Sequence, residues 1–258
     1  MQLDAEKLLS HLSRLSVGCF FAGVLISCAS LTSGSADKEE LSNLYLQLGV
    51  RYMDLNKLEI ARENLQIALT KDPDNTQVHN AYAFLYEKLK DYQQASEHYK
   101  KALELSPDDW SVQNNFGRFL CDQGHYEQGL ALLILANSTQ LNDKQWIALT
   151  NAGRCQLAMK RNQDAQAYFD KALMLNLDYA PALLEMQKIS FQNKTYLEAK
   201  TYLKRYLMVD VYTSGVLWIA LQTEMALGNS ANADQYRQLL LEKFPLSNEA
   251  KQLKPVLQ

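Results

Sequence analysis

The strongest constraint on this chain is a stretch that comes back. Tyr45, Leu48, Gly49, Tyr52, Ala61, Leu65, Ala68 and Pro73 are answered, 34 residues on, by His79, Tyr82, Ala83, Tyr86, Ala95, Tyr99, Ala102 and Pro107. The order of side-chain types is kept: large, large, small, aromatic, then small, large, small, then proline. Self-similarity at a fixed period of this size marks stacked structural repeats.

The spacing has a physical reading. Each unit is two helices joined by a tight turn, the first over about 43–55 and the second over about 58–71. Leu48 and Tyr52 are four apart and share a helix face. Gly49, or Ala83 in the next unit, lets the two helix backbones approach. Ala61 and Ala68, two turns apart, do the same from the facing helix. Pro73 stops the second helix, and Asp72 and Asp74 are expected to cap the next one. A single such hairpin cannot bury its apolar face, so neighbours must stack on it. These residues resemble the tetratricopeptide (TPR) repeat. The resemblance implies an all-α fold, a right-handed α-solenoid of about six helix-turn-helix repeats.

The units fall near 42–75, 76–109, 110–145, 146–179, 180–213 and 214–246, with a polar tail over 247–258 that is expected to fray. Leu141 and Leu177 stand where proline would close repeats three and four. Gly129 stands where alanine is usual, and repeat five has Gln187 where a small residue is usual. No strand pattern is present.

Composition excludes some classes. The chain has 258 residues, is 47% hydrophobic, and carries a net charge of −3. That suits a folded core and gives no basic surface for nucleic acid. Cys19, Cys28, Cys121 and Cys155 have no zinc-ligand spacing, and the four histidines form no HExxH. No catalytic set, cofactor, metal or small-molecule substrate is implied. His79 reads as a helix-interface residue, and His98 and His125 as surface residues. Cys121 and Cys155 lie on first helices of successive repeats. Their side chains are expected to point different ways, as free thiols, although an oxidising compartment would permit pairing.

The amino terminus carries Lys7, His11 and Arg14, then an apolar run of about 12 residues, Leu15 to Ile26, too short to span a bilayer comfortably. It ends in Leu25-Ile26-Ser27-Cys28, which resembles a bacterial lipobox. The resemblance implies that residues 1–27 are a lipoprotein signal peptide and that Cys28 becomes the lipidated, palmitate-bearing first residue. Ala29 after it implies the outer membrane by family rule. Residues 28–41, small and polar, are expected to form a flexible tether.

In the repeat family a fixed set of first-helix positions lines the concave face. Carried onto this chain, they include Leu46, Val50 and Met53, then Asn80 and Phe84, then Asn114 and Arg118, then Arg154. Leu46, Val50 and Met53 are apolar where solvent is expected, which marks either a partner site or packing against a neighbour. Asn80, Asn114, Arg118 and Arg154 suit backbone amides or a carboxylate. They equally suit a solvated polar face.

One segment is more specific than the repeat. Asn114-Asn115-Phe116-Gly117-Arg118-Phe119-Leu120-Cys121, with Gln123-Gly124-His125-Tyr126-Glu127 after it and Ala180-Pro181-Ala182-Leu183-Leu184-Glu185-Met186 further on, resembles the type IV pilus biogenesis/stability lipoproteins, the PilW/PilF pilotin family. That resemblance implies a non-enzymatic outer-membrane lipoprotein facing the periplasm, whose partner is the secretin subunit of the pilus machine. Its activity would be secretin localisation and multimerisation. The alternative is a generic TPR lipoprotein adaptor for barrel assembly or envelope hydrolases.

Overall fold

The computed structural model describes residues 29–139 and 141–253, with side chains from Asp37 onward. The expected signal peptide, Cys28 and Pro255 lie outside the described residues. Among the described residues twelve helices pair into six antiparallel hairpins: α1 (Ala29–Asp54) with α2 (Leu58–Lys71), α3 (Thr76–Leu89) with α4 (Tyr92–Leu105), α5 (Trp110–Asp122) with α6 (Tyr126–Ser138), α7 (Gln145–Ala158) with α8 (Asn162–Leu175), α9 (Ala180–Gln192) with α10 (Tyr196–Val209), and α11 (Ser214–Ala226) with α12 (Ser230–Lys243). A thirteenth, α13 (Asn248–Leu253), follows. Each hairpin packs on its neighbours in sequence order, as an α-solenoid requires. Among the described residues there is no strand.

The repeat residues build this packing. Ala61, Leu65, Ala68, Ala95, Tyr99 and Ala102 are fully buried. The small residues allow close approach: a Cβ on Gly117 would lie 2.8 Å from the Gly129 carbonyl oxygen. Every first-to-second-helix turn has the same geometry. Asn56, Lys90, Gly124, Lys160, Lys194 and Gly228 all take positive φ, between 55° and 84°. The next amide then bonds back to the carbonyl five residues earlier, as in Asp91 to Tyr86 and Thr195 to Ser190, both at 2.9 Å. This is the Schellman closure of a helix end.

Several expectations are corrected. The tether over 28–41 is instead helical from Ala29, so α1 has 26 residues against 13 or 14 in the other first helices. Residues 29–41 hold no proline, and extending an existing helix needs no new nucleus. The tail is not wholly frayed: α13 packs on α11 and α12 and buries Ala250 completely. The next helix is capped by Asn75 rather than Asp72 or Asp74, because Asn75 is the residue immediately before it. Its Oδ1 accepts from the Gln77 and Val78 amides at 3.1 Å.

Leu48 is 38% exposed although its equivalents Tyr82 and Phe116 are 3% and 5% exposed. Among the described residues no repeat precedes repeat one to cover it. Cys121 and Cys155 form a disulfide linking α5 to α7, with Cα atoms 5.4 Å apart. The two first helices lie close enough side by side for the Sγ atoms to meet. Gly129 explains the departure from alanine, since a Cβ there would be 2.5 Å from Cys121 Sγ. His98 is not a surface residue. Its ring stacks on Tyr82 and Tyr86, and its Nδ1 lies 3.0 Å from Nδ1 of His79.

Candidate functional site

The inner faces of α1 and α3, with the start of α5, enclose a groove of about 540 Å³. Its apolar part is Leu46, Val50 and Met53 from α1 with Ala81 and Phe84 from α3, and its polar part includes Arg51, Asp54, Gln77, Asn80 and Asn115. Helical periodicity puts Leu46, Val50, Met53 and Asp54 on one side of α1.

The side chains differ in what they offer. Val50 and Phe84 are 40% and 39% exposed, so they present apolar surface to the groove. Met53 is 3% exposed and packs among Ala61, Leu65 and Ala81, forming floor rather than wall. The Lys88 ammonium sits 5.0 Å over the Phe84 ring, leaving a charge at the rim. Asn80 is nearly buried, and its Oδ1 accepts from Asn115 Nδ2 at 3.2 Å. Two further bonds extend that pair: Asn114 Nδ2 donates to Asn115 Oδ1 at 3.2 Å, and Asn151 Nδ2 to Asn114 Oδ1 at 2.9 Å. An asparagine ladder thus ties repeats two, three and four together. It uses the oxygen of Asn80, while among the described residues its amide nitrogen has no assigned acceptor.

The sequence-derived residues therefore separate into two sets. Leu46, Val50, Met53, Asn80 and Phe84 meet at one groove. Asn114, Arg118 and Arg154 do not line it. Asn114 is buried in the ladder. Arg118 donates to Glu87 at 2.6 Å and to Asp122 at 2.8 Å. Burial alone would lower the Arg118 pKa, but the bond to Glu87 holds it above its usual value. Tyr99 donates to the same Glu87 oxygen at 2.5 Å, and burial, with Glu87 beside it, pushes the phenol well up. Arg154 donates to Glu185 at 3.1 Å, linking repeats four and five. These arginines are engaged across repeat boundaries and stiffen the concave face.

Sequence reasoning missed Gln47, Arg51, Ala81 and Asn115. The signal for Asn115 was present, since it sits next to Asn114, on the side of α5 facing the previous repeat. Among the described residues no group of three or more His, Cys, Asp or Glu could hold a metal ion. The groove can bind an apolar side-chain row and hydrogen-bond a backbone beside it; it contains no nucleophile–base pair.

Comparison with known proteins agrees with this architecture. The tetratricopeptide repeat family matches at residues 76–109, 98–131 and 148–179. The chain is 28% identical over 212 residues to the type IV pilus assembly protein PilF of Pseudomonas aeruginosa, covering 82% of this chain and 84% of that protein. An uncharacterized Haemophilus influenzae protein is 31% identical over 108 residues, 42% of this chain and 60% of its own length. Among solved structures, P. aeruginosa PilF superposes with a TM-score of 0.73 at 27% identity, over 84% of this chain and 97% of that one. PilW, described as a widely conserved type IV pilus biogenesis factor, gives 0.73 at 28% identity, over 82% and 97%.

Proposed function

We propose that this chain, a tetratricopeptide-repeat protein of the PilF and PilW kind, acts in type IV pilus biogenesis as a pilotin. In this reading Cys28 carries the lipid that holds it to the periplasmic face of the outer membrane. The solenoid grips the secretin subunit and promotes its multimerisation there. The role is binding, with no bond made or broken.

The observation that carries the reading is the groove between repeats one and two. Its apolar lining of Leu46, Val50, Met53 and Phe84, with the polar Asn80, Gln77 and Arg51 beside it, suits the apolar face of a helix or the alternate side chains of an extended segment. The likeness to PilF and PilW, which spans more than four-fifths of the chain, supports the pathway. The Leu25–Cys28 sequence supports the anchor. Holding one secretin segment at a surface raises its effective concentration there without any further contact.

The test is a pull-down of the mature chain from envelope extract, followed by Leu46→Glu with Val50→Glu. Secretin should come down with the parent and not with the double variant, whose helical circular dichroism should be unchanged. Equal recovery by both would remove the groove from the site. Cys28→Ser, with incorporation of an alkyne-tagged fatty acid as readout, checks the anchor separately: label on the variant would place the lipid elsewhere.

A further inference from the structure

Repeats four and five share a surface that the groove does not use. On α8, Tyr168, Lys171 and Met174 follow at intervals of three, and Leu177 stands in the loop beyond. On α10 the set returns 34 residues on as Tyr202, Arg205 and Met208, with Val211 beyond. Intervals of three keep these side chains on one side of each helix. The outermost members are strongly exposed: Met174 81%, Leu177 66%, Met208 78% and Val211 71%. Behind them, the Lys171 ammonium lies 5.7 Å from the Tyr168 ring centre and the Arg205 guanidinium 5.9 Å from that of Tyr202. Arg205 also donates to the Leu177 carbonyl, which fixes one repeat's cation beside the previous repeat's apolar tip. Repeats one, two and six have Pro73, Pro107 and Pro245 at the place of Leu177 and Val211, and repeat three has Leu141 there, 80% exposed, so the apolar tips belong to the middle repeats.

We propose that this edge of the solenoid rests on a phospholipid bilayer. Met174, Leu177, Met208 and Val211 enter the boundary between headgroups and acyl chains, and Lys171 and Arg205 meet lipid phosphates. Apolar tips backed by cations and tyrosines match a bilayer surface, whose acyl chains lie beneath a headgroup layer that takes both phosphate-binding cations and amphipathic rings. Isolated side chains on loop tips and helix ends suit a deformable layer better than a shaped protein pocket. Asp178 and Asp210 lie in the same loops, and Asp170 and Glu198 further along the helices, against Lys171, Lys204 and Arg205. Attraction to the bilayer is therefore mainly apolar and only weakly dependent on salt.

The chain's own course favours a bilayer as occupant. Second helices end, and first helices begin, at this edge. In repeat one, α1 passes the corresponding edge at Ser42, whose Oγ donates to the Ala68 carbonyl at 3.0 Å. It then continues outward to Ala29, a surplus over the other first helices of roughly 20 Å at 1.5 Å per residue. This step rests on the lipid-anchor reading of Cys28, which would put the bilayer on that side.

The test supplies its own anchor, so that it does not depend on natural lipidation. Residues 29–258 with an N-terminal hexahistidine tag are held on phosphatidylethanolamine vesicles containing a nickel-chelating lipid. An environment-sensitive fluorophore is attached at Met174→Cys, or at Gln163→Cys on the opposite edge, with the native disulfide kept oxidised. The Met174 probe should shift to the blue and be quenched by brominated acyl chains, while the Gln163 probe stays solvent-like. Untethered protein should lose at least tenfold in vesicle partition when Met174, Leu177, Met208 and Val211 are all changed to Gln. Equal behaviour of the two probes, or a shift that salt abolishes, would overturn the proposal. A shift that needs only more protein would do so in favour of a second copy, and one that needs secretin instead of vesicles in favour of that partner.

Discussion

Cys121 on α5 is joined to Cys155 on α7 across 34 residues of sequence, and Gly129 on α6 leaves the room for the bridge. Each cysteine sits on the first helix of its repeat, so the bond crosses a repeat boundary. In a solenoid, where each repeat touches only its neighbours, such a crosslink adds to one interface and leaves the others as they were.

Replacing both cysteines with alanine should lower stability by about 2–4 kcal/mol, the range for closing a loop of this length in the unfolded chain. Urea melts of the oxidised parent, the reduced parent and Cys121→Ala/Cys155→Ala measure it. The last two should coincide. Gly129→Ala should be costly in the oxidised protein, because its Cβ would meet both Cys121 Sγ and the Gly117 oxygen at 2.5 Å. If Gly129→Ala melts with the parent, the close approach of α5 and α6 does not constrain that position.

The left-handed turn residues give a second prediction. Lys90, Lys160 and Lys194 hold φ near 62° where Gly124 and Gly228 serve in other repeats. A residue with a Cβ in that region is disfavoured by roughly 1–2 kcal/mol, partly offset by the greater unfolded-state freedom of glycine. Each lysine changed to glycine should therefore stabilise by about 0.5–1 kcal/mol, additively, since the three turns are in different repeats. Thermal melts of the single and triple variants check this; destabilisation by any one of them would mean that its side chain makes a contact worth more than the strain.

The same turns show how legible the fold was. The period of Tyr45–Pro73 foretold paired helices and their stacking, because those features depend on side-chain size at fixed spacing. The turn conformation was hidden, because only two of the six positions carry the glycine that announces positive φ. Leu46, Val50 and Phe84 could be grouped from the repeat alone, since neighbouring first helices present equivalent faces. The partners of Arg118 and Arg154 could not, because Glu87 and Glu185 meet them only once two helices are laid side by side. The Cys121–Cys155 bond was missed for the same reason. Repeat register describes positions within a hairpin better than distances between hairpins.

Gln187 is a third test. It is fully buried on α9, and among the described residues neither its Oε1 nor its Nε2 has a hydrogen-bond partner. An unpaired buried amide costs about 1–3 kcal/mol, whereas an apolar side chain of similar volume leaves nothing unsatisfied. Gln187→Met should accordingly raise stability by about 1–2 kcal/mol, with slower amide exchange in α9 and α10. Loss of stability in this variant would show that the amide is hydrogen-bonded through internal water.

The His79–His98 pair makes stability depend on pH. Burial, and then the neighbouring His79, lower the His98 pKa to about 4 from a usual 6.5, with Glu97 opposing weakly. Tyr82 and Tyr86 face the same ring, and the His79 Nε2 lies 3.0 Å from the Pro73 carbonyl. With Nε2–H donating to that oxygen, neutral His79 accepts at Nδ1 from His98, and a second proton on the pair would set two donors against each other. The unfolded chain takes up the proton near pH 6.5 and the folded chain only near 4. The contribution is therefore complete above pH 6.5 and is lost as pH falls through that window toward 4. The His98 ring is partly solvated, so the loss should be on the order of 1 kcal/mol, well below the ~3.4 kcal/mol that the full shift would give at ~1.4 kcal/mol per unit. Urea midpoints at pH 7.5, 5.5 and 4 measure it, and His98→Phe, which keeps the stack on Tyr82 and Tyr86, should flatten this part of the profile. A profile unchanged by His98→Phe would assign the acid sensitivity to other groups.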